Sequence, residues 1–108
     1  MTIPLGNFMI DLVRMRITPT SYLAEYVGTF FFVLVIFVSM AHPLVIGGAL
    51  ALAIYLIADV SDGHVNPAVS LAMFMDGHIK FMEFLGYCLA QLAGGASAYY
   101  SYRALKRA

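Results

Sequence analysis

The stretch from Tyr22 to Met40 reads YLAEYVGTFFFVLVIFVSM, an unbroken apolar run whose single charge, Glu25, falls in its first turn. A helix needs roughly 20 apolar residues to cross the hydrocarbon core of a bilayer, so this run predicts a transmembrane helix over 22–41. The rest of the chain is no better suited to water. Of its 108 residues 62% are hydrophobic and 11% charged, whereas soluble domains carry about a quarter charged residues. That length holds one domain of three or four spans and not two bundles.

The punctuation is readable. Ser21 supplies a side-chain oxygen at the expected start of the first span, and His42-Pro43 ends it, because proline disfavours helical geometry in the residue before it. Pro43 suits the first position of a second span, expected over 43–58 until Asp59 stops the run. A last span is expected over 81–102, with Lys80 and Glu83 flanking its start. Tyr99, Tyr100 and Tyr102, followed by Arg103, Lys106 and Arg107, read as an interface anchor. Gly86, Ala90, Gly94 and Ala98 place small side chains along one ridge where another helix can approach, and Ala24/Gly28 and Gly47/Ala51 repeat the device. Residues 1–20 form a separate N-terminal segment. Asp11, Arg14 and Arg16 interrupt it too often for a secretory signal, and Phe8 to Ile17 is expected to lie as a helix in the membrane interface.

Between the second and last spans comes a polar stretch, 59–66, then a short apolar segment over 67–75. Eight residues of helix, Ala68 to Met75, rise only about 12 Å, less than half the hydrocarbon core. A segment too short to span and too apolar for an exposed loop is expected to be re-entrant, turning back inside protein. Asn66-Pro67 is a helix start: asparagine accepts from an orphan amide and proline needs no donor there. Near the bilayer midplane such a start presents about half a positive charge, a barrier to cations and protons. The Asn66 amide would donate to a passing water or hydroxyl oxygen, and the carbonyls of Gly63, His64 and Val65 would accept.

Three patterns in order resemble the aquaporin and glycerol-channel family, in its N-terminal half. Ala24 to Phe30 is close to that family's AEFxGT; Ser61 to Ser70, through Asn66-Pro67-Ala68, is close to SGGHxNPAVS; Tyr87 to Gly94, with Gln91 in it, is close to YxxAQxxGA. The resemblance covers most of Tyr22 to Tyr102. It implies an all-α integral membrane fold, an aquaporin-like half of three transmembrane helices plus one re-entrant half-helix, making a single repeat over 21–108. It also implies that Asn66 donates to the permeant, that Glu25, His64 and Gln91 support the loop, and that Gly28 and Gly94 permit close helix crossing. Asp62 departs from the pattern, standing where the family usually has glycine.

The family's channels contain two such units, inverted, in one chain, and this sequence contains one. The expected function is therefore a half-channel in the lipid bilayer for passive permeation of water or small neutral solutes such as glycerol. The six basic residues divide evenly between the two sides, Arg14, Arg16 and Lys80 against Arg103, Lys106 and Arg107, so the positive-inside rule gives almost no orientation bias. Two copies paired antiparallel, a complementary half-channel chain, a higher oligomer and a non-conducting truncated fragment all stay open. Val69 fills the place where the second half usually carries an arginine, and Ile46 aligns with a second-helix position often aromatic in water-selective members. A wider, less polar constriction is expected.

The rival class is a small dual-topology proton-coupled exporter, in which Glu25 would bind protons and cationic substrate. It leaves the Asn66-Pro67-Ala68 segment without a role. Nucleic-acid binding is excluded by zero formal net charge and the lack of a Lys/Arg tract. Cys88 reads as a small packing residue, and His42, His64 and His78 are too scattered for a metal site. No cofactor is expected. No activated nucleophile or phosphate loop suggests an enzyme.

Overall fold

The computed structural model describes residues 17–107, and among these it contains four helices: α1 (Pro19–Val38), α2 (Pro43–Ser61), α3 (Pro67–Met75) and α4 (Phe81–Arg107). The interfacial helix expected over Phe8 to Ile17 lies almost wholly outside the described residues.

The first helix begins three residues earlier than the sequence suggested. Thr18 is the N-cap and Pro19 holds the first helical position, where its missing donor costs nothing. Ser21 is not the cap. Its hydroxyl accepts from the Thr18 backbone N–H (3.0 Å) and donates to the carbonyl of Val60 (2.7 Å). At the other end α1 stops at Val38, short of 41, because Met40 (φ 57°) and Ala41 (φ 63°) turn left-handed to reverse the chain before Pro43.

The second helix runs three residues beyond its expected end at Ala58. Terminal carbonyls need partners when no further turn follows, and two of these find them on neighbouring helices. Val60 accepts from Ser21 of α1 and Ser61 accepts from the Tyr87 hydroxyl of α4 (2.9 Å). The extension makes α2 19 residues long, about 28 Å at 1.5 Å per residue. Likewise α4 continues past 102 to Arg107, and the cations of its last turn suit the negative end of the helix dipole. Its first turn is closed by the Lys80 N–H donating to Glu83 Oε1 (2.7 Å).

Packing places α1 between α2 and α4, with α3 laid on α4. Gly94 lets α1 and α4 touch backbone to backbone, since a Cβ there would sit 2.5 Å from the Tyr26 carbonyl oxygen. Tyr26 itself donates to Ser97 across the contact (2.6 Å). Gly28 makes room for side chains and not for backbone. A Cβ there would meet the side chains of Ile57 of α2 (2.6 Å) and Val65 of the loop (3.7 Å), so this glycine is a socket where α2 and the loop close on α1. Around Gly47 and Gly48 nothing lies within 4 Å, so that ridge has no partner among the described residues. Phe74 stacks on Phe84 at 5.6 Å and meets Phe81 edge-on, which fastens α3 to α4.

The interior is inverted relative to a water-soluble domain. Ser21, Glu25, Ser61, Ser70 and Gln91 are buried, while large apolar side chains such as Leu44, Tyr55, Leu56 and Leu89 face outward. Two helices, α1 and α2, are long and apolar enough to cross a membrane. Outward apolar faces on a polar-cored bundle are stable only where lipid or another apolar surface covers them.

Candidate functional site

The centre of the molecule is the carboxylate of Glu25, fully buried on α1. Oε2 accepts from the Ser61 hydroxyl (2.6 Å) and the His64 backbone N–H (3.0 Å). Oε1 accepts from the Val65 backbone N–H (2.8 Å) and from Gln91 Nε2 (3.0 Å). Burying a carboxylate is costly unless its acceptor positions are filled, and here donors from α2, the following loop and α4 fill them. One side chain thereby ties three parts of the chain to α1.

Peptide planarity converts those bonds into a direction. In a trans peptide the C=O of one residue points opposite to the N–H of the next, and no cis peptide is present among the described residues. Because the amides of His64 and Val65 point inward at Glu25, the carbonyls of Gly63 and His64 point away from the core. This arrangement needs unusual backbone. Gly63 has φ +65° and passes so close to α2 that a Cβ would lie 3.1 Å from Ile54 Cα. Val65, a β-branched residue, is held at φ 55°, a conformation costing about 1–3 kcal/mol that persists only when its surroundings impose it. Its N–H bond to Glu25 and its packing against Gly28 do so.

Gln91 continues the network. Its two Nε2 hydrogens go to Glu25 and to Ser70 Oγ (2.9 Å), and Ser70 lies 2.8 Å from His64 Nδ1. The Ser70 hydroxyl, which accepts from Gln91, thus also shares a hydrogen bond with His64 Nδ1 and links the loop to α4. Tyr87 packs edge-on against the same ring at 4.9 Å.

The short helix starts as the sequence chemistry requires. Asn66 is the N-cap, its Oδ1 accepting from the Ala68 N–H at 2.8 Å, with Pro67 at the first position. Asn66, Pro67 and Ala68 are exposed. The side-chain oxygen being engaged, the two Nδ2 hydrogens of Asn66 are left for whatever occupies that exposed side.

A cavity of about 430 Å³ opens beside the loop, lined by Asp62, Gly63, His64, Val69, Met73 and His78. Of the residues singled out by sequence, Gly63, His64 and Val69 meet there. Asn66, Pro67 and Ala68 do not line this cavity, and Val65 is buried behind the loop. Ile46 is not part of it either; it is half-buried on α2, fifteen residues before Ser61 and so about 22 Å away along the axis. Ser61, Ser70 and Tyr87 also belong to the site, although the motifs that contain them assign them no role. Their signal was available: a polar group on an apolar helix needs a named partner.

Asp62 caps α2 in the left-handed conformation (φ 68°, ψ −4°), where glycine carries no Cβ penalty. Replacing it, Asp62→Gly, is expected to raise stability by about 0.5–1 kcal/mol. Thermal unfolding in detergent checks this, and a lower midpoint would contradict it.

Comparison with known proteins comes to the same region of the chain. A family model described as Major intrinsic protein matches residues 13–106. The chain is 38% identical to the glycerol uptake facilitator protein-like 6 of Lactiplantibacillus plantarum, over 71% of this chain and 39% of that protein. It is 43% identical to aquaporin TIP1-2 of Zea mays, over 56% of this chain and 22% of that protein. With aquaporin-9 of Homo sapiens it shares 50% identity, over 43% of this chain and 16% of that protein. The chain thus spans two-fifths or less of the length of these relatives. No solved structure gives a significant match.

Proposed function

The chain belongs to the major intrinsic protein family, an integral membrane family of channels, and on that premise we propose that it forms one half of a pore for passive movement of water and small neutral solutes such as glycerol. In this reading α1, α2 and α4 span the bilayer, and the loop with α3 is re-entrant. The observation that carries it is the presence of opposite hydrogen-bonding groups within four consecutive residues, 63–66. Asn66 keeps two amide hydrogens on an exposed helix start, while the Glu25 bonds turn the Gly63 and His64 carbonyls outward. A neutral molecule that both donates and accepts is passed between such groups, whereas a cation meets the positive end of α3.

The pore needs a second half that presents its own short helix against Asn66. That half is a second copy inverted in the membrane, or a complementary chain or segment. The even division of basic residues between the two sides favours an inverted copy. Cysteine-accessibility labelling at the N-terminus and after Arg107 in intact cells tests this, and a single orientation for every molecule would rule the inverted copy out.

Val69 on α3 and Ile46 on α2 supply apolar walls, so a pore built from two such halves is wide and tolerant of glycerol. Stopped-flow swelling of proteoliposomes with water and glycerol gradients is expected to show flux of both, and Asn66→Ala is expected to reduce it about tenfold or more by removing the donor. Water flux with complete exclusion of glycerol would sink the selectivity claim; no flux of either would sink the channel reading.

The exporter alternative places a cationic substrate on Glu25. All four acceptor positions of that carboxylate are already taken by protein donors, which leaves a substrate no place there.

A further inference from the structure

The end of α4 carries a feature that permeation does not use. Leu89, Leu92, Tyr99, Tyr100, Arg103 and Arg107 are all exposed, and their spacing places them on one face of the helix. Along that face the chemistry changes in a fixed order, from leucine through tyrosine to arginine. From Leu92 to Arg103 is eleven residues, about 16 Å, close to half the hydrocarbon thickness of a bilayer. A glycerophospholipid presents the same order over the same length: acyl chain, ester-linked glycerol, phosphate.

The tyrosines and arginines also enclose a groove of about 230 Å³, with Ala104 between them. Alanine is the smallest side chain in the set and leaves the gap open. Among the described residues the charges around the groove are of one sign. The carboxylates among the described residues, Glu25, Asp59, Asp62, Asp76 and Glu83, lie toward the opposite end, where the start of α1 meets the end of α2 and the start of α4. No ion pair occupies either guanidinium among the described residues. The helix C-terminus opposes an anion with only about half a charge, which two guanidiniums outweigh. Lys106, three residues from Arg103, borders this face, but its ammonium is engaged 5.6 Å over the Tyr102 ring, which itself stacks on Phe37 at 4.9 Å.

We propose that Arg103 and Arg107, with Tyr99 and Tyr100 on the membrane side, form a binding site for the phosphodiester headgroup of an anionic phospholipid. The arginine forks take the phosphate oxygens, the tyrosine hydroxyls sit at the ester level, and the acyl chains follow the leucines of α4. The site rests on the membrane placement of α4 and not on conduction, so its failure and the failure of the channel reading are separate results.

Native mass spectrometry of the full chain in detergent, titrated with phosphatidylglycerol and with phosphatidylcholine, reads the site directly. Phosphatidylglycerol is expected to bind at least about tenfold more tightly. Arg103→Gln with Arg107→Gln is expected to weaken it about 25-fold, roughly fivefold for each charge. Lys106→Gln should change it by about twofold or less, and the charge-preserving pair Arg103→Lys with Arg107→Lys should recover only part of the affinity, because an ammonium lacks the fork. Both arginines are exposed, and an unchanged unfolding midpoint verifies that the variants fold. Equal binding of the two lipids, or equal losses for Lys106→Gln and Arg103→Gln, would overturn the proposal in favour of diffuse attraction. Displacement of phosphatidylglycerol by an equal concentration of inorganic phosphate would overturn it in favour of a free-phosphate site.

Discussion

Glu25→Ala is expected to destabilise the fold by about 4 kcal/mol and to release the loop from 62 to 65. The substitution leaves the backbone amides of His64 and Val65 buried without acceptors, at about 1–3 kcal/mol each. It also strips Gln91 of one of its two acceptors. Ser61 escapes part of the loss, because its hydroxyl can turn to the Ile57 carbonyl at 3.3 Å. The same escape makes Glu25→Gln milder. An amide can point its oxygen at Val65 and Gln91 and its NH₂ at a reoriented Ser61, which leaves the His64 amide alone unpaired. The expected order of stability is therefore Glu, then Gln, then Ala. Hydrogen exchange supplies the local readout: protection of the His64 and Val65 amides should fall in the Ala variant well before the helical amides of α1 open. Native-like protection of both amides in Glu25→Ala would show that the carboxylate does not hold the loop.

Gly94→Val is expected to cost about 3 kcal/mol or more, and the reason is which atoms it meets. The new Cβ would lie 2.5 Å from the Tyr26 carbonyl oxygen and 3.1 Å from the Phe30 nitrogen. Backbone atoms of a helix cannot swing aside as a side-chain tip does, so α1 and α4 must separate. Separation stretches the Tyr26–Ser97 and Gln91–Glu25 bonds together, so the loop loosens although the substitution is remote from it in sequence. Gly47→Ala is the matched control. Nothing lies within 4 Å of that glycine, and alanine gains up to about 1 kcal/mol in helix propensity. Unfolding midpoints in detergent should therefore move in opposite directions for the two variants. A similar drop for both would mean that α2 is covered at Gly47 by a surface the isolated chain does not contain.

The two glycines also show where reading from sequence runs out. The spacing of Gly86, Ala90, Gly94 and Ala98 marks a smooth ridge, and the ridge does face α1. Gly47 and Ala51 show the same spacing and face outward. Periodicity reports which side chains share a face; it carries no information about what that face meets. The helix ends behave in the same way. Proline and left-handed residues set local limits, but α2 runs on to Ser61 because Ser21 and Tyr87 arrive from other helices to donate to its last carbonyls.

What the residues establish unaided is the solvent, the helical class and the start of α3. These follow from local rules: the apolar length needed to cross a bilayer, and the capping chemistry of Asn66-Pro67. What needed the folded chain is the site's polarity. Glu25, Ser61, Ser70 and Gln91 lie far apart in sequence, and only their convergence sets which way the loop amides point, and so which way its carbonyls face. A hydrogen bond is directional and short, so its partner is fixed by three-dimensional placement and not by composition or period.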